Sequence, residues 1–136
     1  MLKLNPLTCA GPARFWAAGL ALAVMMAPAA AETLSGHQLK SFISGKRVLI
    51  AVPLGGEIPI NYRPNGTVDG SGEAVGLGRY MAPTDKGRWW VDGNRLCQRW
   101  QEWYKGRTFC FTVTKTGPDR IRWVRDDGKS GTARLR

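Results

Sequence analysis

The sequence predicts a small, mainly β domain: an antiparallel meander forming a small barrel or sandwich, with one short N-terminal helix and one disulfide. Three observations point there. Short β-branched or aromatic runs recur from residue 47 to the C-terminus, each bounded by glycine, proline or an Asn-Gly or Asp-Gly turn. Several of these runs alternate apolar and polar residues, the period of a strand with one buried face. And once the first 31 residues are set aside, two cysteines remain, Cys97 and Cys110.

The first 31 residues read as an export signal. Lys3 and Arg14 are the only charges before Glu32, and Phe15 to Ala27 is an uncharged apolar run of thirteen residues. Crossing a bilayer takes about 20 apolar residues, so this run is short for a transmembrane anchor. Pro28 stops any helix, and Ala29 to Ala31 offer a small-residue cleavage site. The expectation is a cleaved signal over 1–31 and a single small domain over 32–136, periplasmic or secreted, with no transmembrane helix after cleavage. Cys9 leaves with the signal, and an even cysteine pair in an exported chain reads as a disulfide.

The remaining elements follow in order. Leu39, Phe42 and Ile43 sit at helical spacing between a Ser35 cap and Gly45. Arg47 to Val52 is too short and too β-branched for a helix. Pro59 to Arg63 enters the turn Pro64-Asn65-Gly66, and Thr67-Val68 leads out. Gly70 to Gly78 is rich in glycine and reads as an exposed loop. Trp89-Trp90-Val91 ends at Asp92-Gly93. Then come Arg95 to Trp103, Arg107 to Thr114, Arg120 to Arg125, the turn Asp126-Asp127-Gly128, and a last strand ending at Leu135.

Alternation assigns the faces. Phe109, Phe111 and Val113 form one face of their strand, with Cys110 on the other. Leu96 and Trp100 oppose Cys97 and Arg99, and Ile121 and Trp123 oppose Arg120 and Arg122. The two cysteines fall on matching non-core faces, as cross-strand partners must. A tight turn at Lys105-Gly106 would set Cys97 against Thr114, so direct pairing with Cys110 calls for a longer loop through Glu102 to Lys105. Trp89, Trp100 and Trp123 are expected in the core; Trp90, Trp103 and Tyr104 are expected at the surface.

Charge is unevenly spread. Residues 32–85 carry five bases and five acids, whereas residues 86–136 carry thirteen bases and five acids, a net +8. A basic balance of this kind suits an anionic partner. Bases and aromatics interleave: Arg88-Trp89-Trp90, Arg99-Trp100, Trp103 to Arg107, and Arg122-Trp123. Arginine grips phosphate or carboxylate in two-point fashion, and exposed aromatics offer stacking platforms. The competing explanation is that the tryptophans fill a small core and the arginines form a solvated face.

Catalytic groupings are scarce. His37 is the only histidine and falls on the predicted helix, without a partner in sequence that would make it a base. The mature cysteines suit a bridge better than a nucleophile, and Asp126-Asp127 reads as a turn. Gly70-Ser71-Gly72 and Gly76-Leu77-Gly78 lack the Lys-Ser/Thr and the helix of a phosphate loop. No catalytic residue, metal or cofactor is expected.

Gly87 to Trp100, which contains G-x-W and Leu96-Cys97-Gln98-Arg99-Trp100, is followed by Cys110 and preceded by a Leu-Ser-Gly helix start and Pro64-Asn-Gly-Thr67. This pattern resembles the core of small exported alphaproteobacterial proteins grouped in families of unknown function. The resemblance implies a periplasmic β domain with one disulfide and carries over no catalytic residues. The functional expectation is a non-enzymatic binding domain for an anionic envelope glycan or lipid. Its candidate residues are Arg88, Trp90, Arg95, Arg99, Trp103, Arg107, Arg120 and Arg122. The alternative is a small inhibitor of a protease or lytic enzyme, with a protein target reached through Gly70–Gly78 or Trp103–Arg107; nucleic acid is the less expected partner for an exported chain.

Overall fold

The computed structural model describes residues 11, 23–27, 30–53, 55–76 and 81–136. Most of the segment expected as an export signal lies outside the described residues, as do Leu77 and Gly78 of the glycine-rich region and the adjoining Arg79 and Tyr80. The elements in chain order are β1 (Glu32–Thr33), α1 (Gly36–Ile43), β2 (Arg47–Ala51), β3 (Glu57–Tyr62), β4 (Thr67–Ser71), β5 (Thr84–Asp92), β6 (Arg95–Trp100), β7 (Thr108–Gly117), β8 (Arg120–Arg125) and β9 (Ser130–Leu135).

From β2 to β9 each strand pairs antiparallel with the next, and β9 returns to β2 through Val48↔Leu135 and Ile50↔Ala133. Those eight of the nine strands close a barrel. The ninth, β1, lies outside it and extends the β6 edge of β7 through Glu32↔Lys115 and Thr33↔Thr114. Closure removes the unpaired edges that an open sheet of this size would expose.

The turns form for local reasons. Gly66 takes φ 86° after Pro64-Asn65, and the Asn65 side chain accepts hydrogen bonds from the Thr67 amide and hydroxyl. The connections β5–β6, β7–β8 and β8–β9 are short turns, and each strand meets its sequence neighbour.

Alternation puts Val48, Ile60, Tyr62, Val68, Trp89, Leu96, Trp100, Val113, Ile121, Ala133 and Leu135 in one buried cluster inside the barrel. Helix α1 closes one end. Leu39 and Ile43 are fully buried there, and the Gln38 side chain accepts from both the Ser35 amide and hydroxyl. The Gly36 amide donates to Asn94 in the β5–β6 turn at 2.9 Å, which pins the helix start to the barrel rim. The opposite end is the mouth, surrounded among the described residues by 52–53, 55–56, 72–76, 81–83, 101–107 and 126–129.

Cys97 and Cys110 are direct cross-strand partners joined by a disulfide, Cα atoms 4.0 Å apart, on the outside of the barrel. The longer β6–β7 connection is what allows that register: Trp103 to Gly106 form a short helical turn rather than a tight hairpin. Two expectations need correction. Gly70 and Ser71 belong to β4, not to an exposed loop, because Gly70 faces the interior where a Cβ would stand 2.8 Å from the Trp103 ring. Trp103 is buried, only 4% exposed, because the same connection folds its ring back over the barrel end. Strand β5 is also longer than expected, starting at Thr84, and β1 was unforeseen.

Candidate functional site

The outer wall of β5 to β8 carries the arginines. Along a strand alternate side chains reverse, so Arg88 and Trp90 on β5, and Arg95, Cys97 and Arg99 on β6, all point away from the barrel. Register sets Arg88 directly against Arg99 and Trp90 against Cys97. Arg122 stands against Thr114, with Arg120 near the same end of β8. All these arginines are exposed. Trp90, 40% exposed, flanks the disulfide.

Electrostatic compensation on this wall is thin. Arg95 approaches Asp92 at 3.9 Å. Among the described residues, Arg88, Arg99, Arg120 and Arg122 form no ion pair. Like charges directly opposite on a sheet destabilise it by a few tenths to about 1 kcal/mol. Elsewhere the acids are used: Glu57 on Arg134, Asp69 on Arg63, and Asp127 on Arg125. The Arg134 guanidinium holds the Glu57 carboxyl below its usual range.

Of the expected site residues, the structure brings Arg88, Trp90, Arg95 and Arg99 together and sets Arg120 and Arg122 on β8, across β7. Arg107 lies at the mouth end, exposed, its guanidinium 5.3 Å from the centre of the Phe109 ring. Trp103 does not join them. Its Nε1 donates to the Ala82 carbonyl at 2.7 Å, and its amide and that of Glu102 both donate to Asp85. The loop expected to enter a partner's cleft therefore turns its tryptophan inward. His37 is exposed on α1, at the end opposite the mouth.

The barrel mouth holds residues that alternation could have flagged. Gln98 sits between inward-facing Leu96 and Trp100, so a polar side chain is forced inside; Tyr62 donates to its Oε1 at 2.6 Å. Burial pushes the Tyr62 hydroxyl well above its ordinary pKa. Arg125 continues the inward set of Ile121 and Trp123 and is buried at 8% exposure. Its guanidinium lies 4.1 Å from the Phe109 ring centre and 5.3 Å from that of Tyr104, with Nε on Asp127 at 2.8 Å. That pairing lowers the Asp127 carboxyl to about 2. A charged residue two positions after an inward tryptophan was the available signal.

The chain matches no family model, no curated protein and no solved structure, so its functional reading rests on the geometry of its own residues.

Proposed function

We propose that this is an exported, non-enzymatic binding domain that holds an anionic cell-envelope glycan or lipid against the arginine and tryptophan wall of β5, β6 and β8. The observation that carries this reading is the Arg88–Arg99 cross-strand pair, two exposed like charges without an acid. Such a pair costs stability in the free protein and is relieved when a phosphate or carboxylate bridges it. Trp90, the next outward position along β5, adds a flat apolar face beside the pair. The disulfide within the wall stiffens the β6–β7 hairpin, so less freedom is lost on binding. Export and kinship with the small exported families that the Gly87–Trp100 run resembles belong to the same proposal.

The test is a tryptophan-fluorescence titration with lipopolysaccharide at about 50 and 200 mM salt. Screening shortens the reach of exposed charges over that range, so binding should weaken steeply. The double variant Arg88→Ser, Arg99→Ser should bind at least tenfold more weakly and lose most of the salt dependence. Equal binding by the variant would refute the assignment of the wall.

A further inference from the structure

Among the described residues, the barrel is packed more closely at the helix end than at the mouth. A cavity of about 650 Å³ runs from the rim down to Gln98 and Trp100. Below it a void of about 30 Å³ reaches Ile43 of α1, and Gln98, Phe111 and Trp123 line both. Small-molecule sites occupy roughly 300–1,000 Å³. An eight-stranded barrel has an interior that side chains can fill or that holds one small ligand.

The chemistry of the wall narrows the ligand. Ile50, Ile58, Ile60 and Phe111 make it apolar. The indole N–H groups of Trp100 and Trp123, whose rings also line it, are buried without an acceptor. Trp89 and Trp103, by contrast, donate to the Arg63 and Ala82 carbonyls at 2.8 and 2.7 Å. A buried donor left unpaired costs about 1–3 kcal/mol, so this end of the barrel is short of acceptors. At the rim stand Arg125 and Lys129; among the described residues Asp127 pairs with Arg125, and the Lys129 ammonium forms no ion pair. The rim loop also holds Tyr104 and Lys105 at φ 56° and 55°, a left-handed conformation that is uncommon for side-chain-bearing residues and recurs at ligand clamps.

We propose that the barrel interior is a second binding site, separate from the outer wall, for a small amphipathic acid. Its apolar body occupies the space between Ile58, Ile60 and Trp123, and its carboxylate meets Arg125 and Lys129 at the rim.

Dodecanoate, with dodecanol as its uncharged counterpart, is the probe, titrated into the purified protein in 0.3 M salt to suppress binding at the outer arginines. Saturable 1:1 quenching of tryptophan fluorescence and a rise in Tm are expected. Ile58→Trp, which fills the mouth, should weaken binding at least tenfold, and Arg88→Ser with Arg99→Ser should leave it unchanged. Arg125→Met and Lys129→Met should weaken dodecanoate but not dodecanol; Lys129 is exposed, so its variant keeps this arm readable if Arg125→Met does not fold. The proposal is overturned if dodecanoate does not saturate or if Ile58→Trp binds as well as the unchanged protein. Equal affinity for dodecanol overturns the role of the basic rim. Because the outer-wall variant is scored against lipopolysaccharide and the cavity variant against dodecanoate, each site can fail alone.

Discussion

Arg125 shows how one side chain can serve two ends. It is an inward-facing base in an apolar barrel, and burying a lone charge there would be costly, so Asp127 and two aromatic faces accompany it. The Arg125 side chain, helped by the Lys129 amide, lowers the Asp127 carboxyl from its ordinary 3.8 to about 2 in the folded protein. Its contribution to stability is therefore complete above about pH 4 and is lost as pH falls toward 2. Urea denaturation between pH 5 and 2 should show that loss, and Asp127→Asn should flatten it. Gly70 makes a separate point. A methyl there would press on the ends of Ile60 and Trp103, at 2.7 and 2.8 Å. Gly70→Ala should cost about 1–3 kcal/mol by overpacking, read as a lower urea midpoint with an unchanged slope. Gly70 read as loop because glycine carries no hydropathy signal and the glycines that follow it suggested an exposed turn, although Val68 two residues before it shares its inward face.

At the scale of elements, the β6–β7 hairpin and α1 carry most of the construction. The Cys97–Cys110 bridge closes a separation of 13 residues. On the chain-entropy account a loop of that size stabilises by about 3 kcal/mol. Because the bridge lies on the outer wall, replacing both cysteines with alanine should lower stability by that order while leaving the barrel interior unchanged, as near-UV circular dichroism and urea melts would report. Helix α1 stabilises the closed end through Leu39 and Ile43, both fully buried. Leu39→Ala should cost about 2–5 kcal/mol, since the helix cannot settle into the barrel end without disturbing its contact with Asn94. Both elements were legible: the helix from its spacing and Ser35 cap, the bridge from cysteine parity and matching strand faces. The inward fold of Trp103 was not, because a short connection obeys no alternation and its direction is set by the backbone at Tyr104 and Lys105.

At the scale of the molecule, closure is the decisive contact. Strand β9 joins the last residues of the chain to β2, so Leu135 meets Val48 across the whole length of the domain. Pairing so distant in sequence is entropically late, and the barrel is complete only when the last strand docks. Ending the chain at Lys129 should remove the cooperative urea transition, leaving β2 and β8 as open edges. A truncated protein that still melted cooperatively would show that seven strands suffice.

The sequence by itself determined the class of structure. Alternation named the inner faces of β6, β7 and β8, turn residues marked most of the strand ends, and cysteine count named the bridge, since each follows from chemistry within a few residues. The same local rules placed the arginines outward. What only the tertiary structure decided is whether the sheet closes, which end the helix blocks, and what space is left inside. Closure depends on β9 finding β2, and the cavity on how the Trp103 and Trp123 rings, seated against Gly70 and Gly131, divide the space between strands distant in sequence. Those are sums over the whole barrel, and no window of sequence contains them.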